Sequence, residues 1–190
     1  PVKLEIPRPA RGANATMSFQ IIASADGSGA IESEVRIDNV RFEQQATFGV
    51  RVTATTAGGI GRLVGQQCVF DGCPQAIVHD ESGSNRTSIV ELHDVVIGGA
   101  LTGCECVLGT GGTTRYTFDR VTIDASAYGV RLLRPGQANR SAYLEGPFVR
   151  IRAATCADIA CAPGVAGTWA VLQAWDLEAP AGGTALRLGA

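Results

Sequence analysis

The chain has 190 residues, a formal net charge of −2 and a pI near 5.7, with 45% apolar and 18% charged residues. This length suits one domain, and the high apolar fraction excludes a disordered chain. The near-neutral charge argues against a nucleic-acid partner, which would require a basic surface. The 24 glycines indicate many tight turns and therefore many short strands.

Two further classes of protein are excluded by the distribution of residues. No apolar run approaches the ~18 residues of a membrane helix, and the first residues lack the apolar stretch of a signal peptide. The six cysteines contain no CxxC pair and only two histidines are present, so a zinc site is not expected. We therefore expect no membrane partner, metal or cofactor.

The chain begins with a segment that predicts an extended arm. Residues 1–13 include Pro7 and Pro9, and two interpretations of this arm are open: a disordered terminus, or an anchor that lies on a partner chain. Residues 15–22 predict a strand, and residues 26–29 predict a turn. We assign residues 1–34 to this arm and to a strand that caps the domain formed by residues 35–190.

From residue 35 onward, a repeated unit dominates the sequence. Residues 35–42 (VRIDNVRF) and 49–52 (GVRV) match residues 116–123 (YTFDRVTI) and 129–132 (GVRL). Both copies contain two short alternating strands, joined by a two-residue turn, and a third strand after a loop. Weaker copies make the starting positions 35, 63, 90, 116, 144 and 170, which are steps of 28, 27, 26, 28 and 26 residues.

A period of 26–28 residues with three short strands predicts a coiled parallel sheet of about six coils. Equivalent strands would pair between coils, and their inward side chains would stack along the axis. One such stack is expected to contain Val50, Ile77, Cys104, Val130, Ile159 and Leu186. A propeller blade needs about 40 residues, which is longer than this repeat, so a propeller is the weaker alternative. A sandwich or jelly roll stays possible, although it does not explain the recurring unit.

The repeats "VRIDNVRF…GVRV" and "YTFDRVTI…GVRLL" resemble the right-handed parallel β-helix of the pectate-lyase-like superfamily, as it is also found in phage structural proteins. The resemblance covers residues 35–190 and implies an all-β, single-stranded fold. That family often places Asn, in a left-handed conformation, in the two-residue turn. Asn39 occupies this turn, and Gln67, Asp94 and Arg120 occupy its equivalents, so no continuous Asn ladder is expected.

Enzymes with this fold use clustered carboxylates on one sheet, so the outward positions of the third strand are the place to look for catalysis. These positions are predicted to be Arg51, Val78, Glu105, Arg131, Ala160 and Arg187. Only Glu105 is acidic there, in a stack that also contains Arg51, Arg131 and Arg187. Asp38 and Asp119 fall in two-residue turns, where Asp is common for conformational reasons. We therefore expect no catalytic residues.

The register also divides the histidine and cysteine side chains between the core and the surface. His79 is predicted to be a core histidine, between Val52 and Cys106. Cys68, Cys104, Cys106 and Cys161 take inward positions and act as small hydrophobic residues. Cys73 and Cys156 fall in predicted loops on the outside of the rod, where they are expected to reach neighbouring subunits.

Two classes of function follow, and the absence of an acidic cluster favours the first. This is a non-enzymatic virion component, such as a phage capsid decoration or tail protein, that forms a homotrimer, binds other virion proteins and assembles in the host cytoplasm. The alternative is a carbohydrate-active β-helix, either a polysaccharide lyase or hydrolase or a glycan-binding module. The expected interface residues are Val64, Val69, Val78, Val96, Cys73, Cys156, Pro7, Pro9, Leu186 and Leu188.

Overall fold

The structure is a computed structural model that describes residues 19–23, 32–44, 47–54, 60–80, 86–107, 112–133, 140–159 and 175–188. Pro7, Pro9 and Cys161 lie outside these residues. The fourteen strands in chain order are β1 (Phe19–Ala23), β2 (Glu32–Asp38), β3 (Arg41–Glu43), β4 (Phe48–Ala54), β5 (Ile60–Gln66), β6 (Val69–Asp71), β7 (Gln75–Asp80), β8 (Arg86–Val107), β9 (Gly112–Leu133), β10 (Arg140–Glu145), β11 (Val149–Arg152), β12 (Thr155–Ile159), β13 (Trp175–Glu178) and β14 (Thr184–Leu188).

These strands form a parallel β-solenoid, as the repeat predicted. Each strand pairs in parallel with its equivalent in the next coil. The first face is formed by β2, β5, the start of β8 and of β9, and β10; the second contains β3, β6, β11 and β13; the third contains β1, β4, β7, β12 and β14. β8 and β9 each run through all three faces. Among the described residues, no helix has the length and apolarity that a membrane span requires.

The spacing of the coils agrees with the sequence period. On the first face, each inward residue pairs with its equivalent one coil later, in the series Val35, Leu63, Val90, Tyr116 and Leu144. The steps between them are the predicted 28, 27, 26 and 28 residues. The coil expected from residue 170 is described only on its second and third faces, by β13 and β14. Complete coils in the described residues are therefore slightly fewer than the six expected.

The predicted pairing of β12 with β9 on the third face was wrong by two residues. Val130 pairs with Ala157, not with Ile159, and Ala157 pairs in turn with Leu186. The corner that precedes β12 contains only Ala153 and Ala154, so the third strand of this coil begins earlier than expected. A shift of two residues keeps the same face of the strand inward, which is why Ile159 is still buried.

The predicted strand near the N-terminus is present as β1 and continues the third face. β1 pairs with β4, so that Phe19 lies beside Val50 and Ile21 beside Val52. The edge of β4 is therefore covered by a strand from the chain's own N-terminal region.

Aromatic side chains stack between coils in the core. Phe42 and Phe70 are parallel, with ring centroids 4.7 Å apart, and Phe118 stacks on Trp175 at 5.7 Å. The Trp175 indole also donates a hydrogen bond to the carbonyl of Gly146 at 2.7 Å. Each coil thus buries its apolar side chains mainly against its neighbours, because one coil is too thin to enclose a core.

Candidate functional site

The third face carries a network of charges that extends along the axis of the described coils. Outward side chains of successive coils alternate in sign from Glu105 through Arg131 and Asp158 to Arg187. Arg187 donates two hydrogen bonds of 2.9 Å to the two carboxylate oxygens of Asp158. Arg131 lies 3.5 Å from Asp158 and 3.6 Å from Glu105, measured between nitrogen and carboxylate oxygen. This third-face ladder links four coils.

Asp158 corrects the sequence prediction, which placed Ala160 at this level of the face. The two-residue shift of β12 brings Asp158 outward between Arg131 and Arg187, so the stack has two acids instead of one. Tyr128 supports both arginines, since its ring centroid lies 4.2 Å from the Arg131 guanidinium and 6.0 Å from that of Arg187. Asp158 itself is almost fully buried, and Arg131 and Arg187 are its two charged partners.

This arrangement holds both carboxylates as hydrogen-bond acceptors. The amide of Gln75 donates a 3.3 Å hydrogen bond to Glu105, whose other oxygen faces Arg131. The acceptor oxygens of both carboxylates are thus engaged by donors from adjacent coils. The ladder is therefore suited to holding coils together.

The core contains a group of polar side chains around Cys106. His79 is fully buried between Val52 and Cys106, as predicted for a core histidine. Burial raises the pKa of the Tyr116 hydroxyl well above its ordinary value, and the Cys106 thiol adds to the shift. Burial likewise raises the pKa of Cys104. The described residues contain no group of three or more His, Cys, Asp or Glu that is arranged to hold a metal ion.

The prediction that Cys73 and Cys156 lie on the outside of the rod was wrong. Both side chains are fully buried, and each lies in a column of small residues at the corner between the second and third faces. Cys73 is level with Ala100, and Cys156 is level with Gly129. A free thiol fits these positions because it is small and apolar. All five described cysteines are free and buried.

Two of the four valines expected on the surface are also buried. Val64 and Val78 do point away from the core, but only 6% and 7% of their surfaces are exposed. Each is flanked in the adjacent coils by long charged side chains, Arg36 and Glu91 for Val64, and Arg51 and Glu105 for Val78. The apolar stems of such side chains cover a short neighbour.

The other two valines lie on the second face, where several exposed apolar side chains are present. Val69 is half-buried, whereas 47% of Val96 is exposed, and Thr122 follows it in register. Phe148, at the corner between the first and second faces, is 69% exposed. Leu101, just beyond the second face, is also exposed. We call Val96, Leu101, Thr122 and Phe148 the second-face strip.

The remaining predicted interface residues lie near the last coil or outside the described chain. Leu186 occupies an inward position on β14, yet it is 38% exposed. The backbone of Leu188 pairs with that of Ile159. No interface role of Pro7 or Pro9 is described, because both precede the first described residue.

A groove that the sequence did not predict follows the corner between the second and third faces. It encloses about 470 Å³ and crosses three coils. Its charged residues are Asp124, Arg152 and Glu178, which are register partners. Small residues make the corner recessed: Ala125, Ser126, Ala153, Ala154, Ala179 and Pro180. We call this the corner groove.

Some of these features had a signal in the sequence that was not used. Each of the last three coils has two or more small or Pro residues directly after the second strand, which indicates a shallow corner. Phe148 stands in a turn position where the earlier copies have polar residues. Asp158 had no such signal, because its outward position depends on where β12 begins.

Comparison with known proteins found no matching family model, no matching curated protein and no matching solved structure. Functional inference for this chain therefore depends on its own faces, corners and groove.

Proposed function

We propose that this chain is a non-enzymatic structural protein that binds neighbouring protein subunits, as a virion decoration or tail component of the pectate-lyase-like β-helix type. The second-face strip is the observation that supports this proposal most. Val96 and Thr122 project from strands that pair in parallel on both sides, and the exposed side chains of Leu101 and Phe148 lie at the two corners that border this face. Burying them against a partner would contribute about 25 cal/mol per Å² of apolar surface.

The form of the second face also suits a flat partner. Gly98 and Gly99 lie in β8 just after Val96, and Ile97 and Ala100 are buried, so no side chain rises between Val96 and Leu101. Rigid faces of this kind bind with little loss of conformational entropy. A homotrimer, or a lattice of subunits around a common axis, would bring such faces together.

The test compares the oligomeric mass of full-length chains across a concentration series. We expect the wild-type chain to form oligomers, and expect Val96→Glu and Phe148→Glu to weaken them, because each places a charge in the buried contact. Gln66→Glu, which adds the same charge on the first face, is the matched control. Thermal unfolding checks that each variant is folded. A wild-type chain that stays monomeric at every concentration contradicts the proposal.

A carbohydrate-active protein is the second candidate, and the corner groove is the observation that favours it. Asp124 and Glu178 lie two strand spacings apart, about 9.6 Å along the axis, which is near the carboxyl separation of inverting glycosidases. Glu178 is engaged by Arg150, however, through a 2.5 Å contact. Saturable cleavage of a polysaccharide that is lost in Asp124→Asn would establish this candidate in place of the first.

A further inference from the structure

Two opposite charges in the corner groove lie side by side without contacting each other. Arg152 is the register partner of Asp124 in the adjacent coil. In the part of the chain that the structure describes, neither side chain forms a hydrogen bond or an ion pair. Both side chains are exposed, and both line the groove.

Elsewhere on the solenoid, oppositely charged side chains of adjacent coils do pair. Arg62 of β5 contacts Glu91 of β8 at 2.7 Å, and Arg120 of β9 contacts Asp94 of β8 at 2.5 Å. Further pairs of this kind join Arg41 to Asp71, Arg150 to Glu178 and Arg187 to Asp158. The free donor and the free acceptor in the groove are thus an exception to the pattern of the surface.

The chemistry of this pair defines the ligand that it would bind. A guanidinium binds a carboxylate through two parallel hydrogen bonds, and a carboxylate binds an ammonium group. The ligand should therefore carry one negative and one positive group at a separation comparable to the ~4.8 Å between coils. An extended peptide places side chains i and i+2 on the same side, about 6.6 Å apart, which long side chains bridge with ease.

The sequence contains a segment with this chemistry near its start. Lys3 and Glu5 are separated by one residue, and Lys3 is the only lysine in the chain. We propose that the corner groove of one chain binds residues 3–5 of a second copy, with Glu5 on Arg152 and Lys3 on Asp124. Leu4 stands between the two charges. This inference rests on the proposed assembly function and names one of its contacts.

The first experiment is a charge-reversal cycle on full-length chains. The four chains are the wild type, the segment variant K3E/E5K, the groove variant D124K/R152E and the chain that carries all four changes. We expect self-association to weaken about tenfold in each of the two partial variants, and to recover in the combined variant. The matched control is D94R/R120D, which exchanges a surface pair outside the groove and leaves the net charge unchanged.

The second experiment titrates a fluorescent synthetic peptide of residues 1–9 into the wild-type chain. We expect saturable binding of this peptide to the wild-type chain. The groove variant D124K/R152E should bind the same peptide about tenfold more weakly, and a peptide that carries K3E/E5K should bind this variant with the original affinity. Displacement of the peptide by an oligosaccharide, with no effect of the peptide's charge reversal, would assign the groove to a glycan and overturn the inference.

The outcomes separate this inference from the proposed function. If the wild type associates but the combined variant does not recover, the groove contact is wrong and the assembly proposal stands. If the wild type is monomeric, the assembly proposal is wrong, and a failure of the 1–9 peptide to bind then overturns the groove contact as well. If residues 3–5 of the same chain occupy the groove at every protein concentration, the role of a second copy is contradicted.

Discussion

Small side chains determine how sharply the chain turns between the second and third faces. Ala100, Ala125 and Ala153 form one buried column there, with Cys73 at the same level of an adjacent coil. A second set of small residues lies at the start of the third face: Gly49, Ala76, Gly103, Gly129 and Cys156. Side chains from neighbouring coils fill the space at these positions, so larger residues are excluded.

We predict that Gly129→Ala destabilises the protein. A Cβ at this position would lie 2.1 Å from Ile151 Cγ2 and 2.5 Å from the carbonyl oxygen of Cys156, so neighbouring coils would have to move apart. Such overpacking costs about 1–3 kcal/mol. Urea unfolding measures the change, and Gly98→Ala is the matched control, because nothing lies within 4 Å of its Cβ. Equal stabilities of the two variants would contradict the prediction.

The buried thiol of Cys104 predicts a loss of stability at alkaline pH. Burial raises its pKa far above the ordinary value of 9.0, so the folded chain keeps a proton that the unfolded chain releases. This contribution is fully present below pH 9 and decreases as the pH rises above it. The slope approaches about 1.4 kcal/mol per pH unit for one thiol.

Replacing this thiol should flatten the pH dependence. We expect the free energy of unfolding of Cys104→Ala to fall less steeply between pH 9 and pH 10 than that of the wild type. Val130→Ala is the control, because Val130 lies next to Cys104 in the same stack and has no titrating group. Urea titrations at several pH values provide the slopes, and parallel slopes for wild type and Cys104→Ala would refute this account.

The turns between the first and second faces show how one backbone conformation recurs in an element. Asn39, Gln67, Asp94 and Arg120 all have φ values between 51° and 54°, and Phe148 has 56°. The backbone N–H of Asn39 donates a 2.9 Å hydrogen bond to the backbone carbonyl of Gln66 in the next coil. The backbone N–H of Gln67 donates to the backbone carbonyl of His93 in the same way. The turn therefore continues the parallel hydrogen bonding around the corner.

We predict that this turn tolerates Asn and rejects β-branched residues. Gln67→Asn should leave the free energy of unfolding unchanged or slightly higher, because Asn adopts the left-handed region readily. Gln67→Val should lower it by about 1–2 kcal/mol, because a β-branched side chain is strained there. Gln66→Val, one position earlier in β5, is the control for the change of side chain. Thermal unfolding reports all three, and equal effects at positions 66 and 67 would contradict the prediction.

At the scale of the whole molecule, stability comes from stacking between coils. The inward column on the third face contains Val50, Ile77, Cys104, Val130 and Ala157, all of which are at most 1% exposed. Each member lies beside its register partners in the adjacent coils, so the loss of one weakens two interfaces between coils. The third-face ladder adds ion pairs along the same direction on the outside.

We therefore predict that Val130→Asp unfolds several coils together. An unpaired charge at a fully buried position costs several kcal/mol, which is a large part of a typical domain's stability. Hydrogen exchange should increase in β8, β9 and β12 alike. Val96→Asp, at an exposed position in β8, should alter stability by less than about 0.5 kcal/mol. Exchange that increases only at residue 130 and its immediate neighbours would argue against stacking as the source of stability.

Much of the fold was predictable because the length of the repeat varies only between 26 and 28 residues. The first-face register and the equivalent turn positions, including Asn39 and Gln67, followed from aligning copies of one unit, whereas the left-handed conformation of the turn was implied by the resemblance to parallel β-helices. The error at Ile159 arose in a coil with a shorter corner, which the template did not allow for. The surface residues were harder to predict, since alternation tells which way a side chain points but not whether Arg or Glu neighbours cover it.

The sequence by itself determined the solenoid, because inward apolar positions that recur every 26–28 residues bury their surfaces only when coils stack. It also placed His79 and Cys104 in the core. Only the tertiary structure decided that Cys73 and Cys156 are buried, that Asp158 completes the third-face ladder, and that Asp124 and Arg152 line a groove. These features depend on the length of each corner and on the side chains of adjacent coils, which are close in space but about 27 residues apart in the chain.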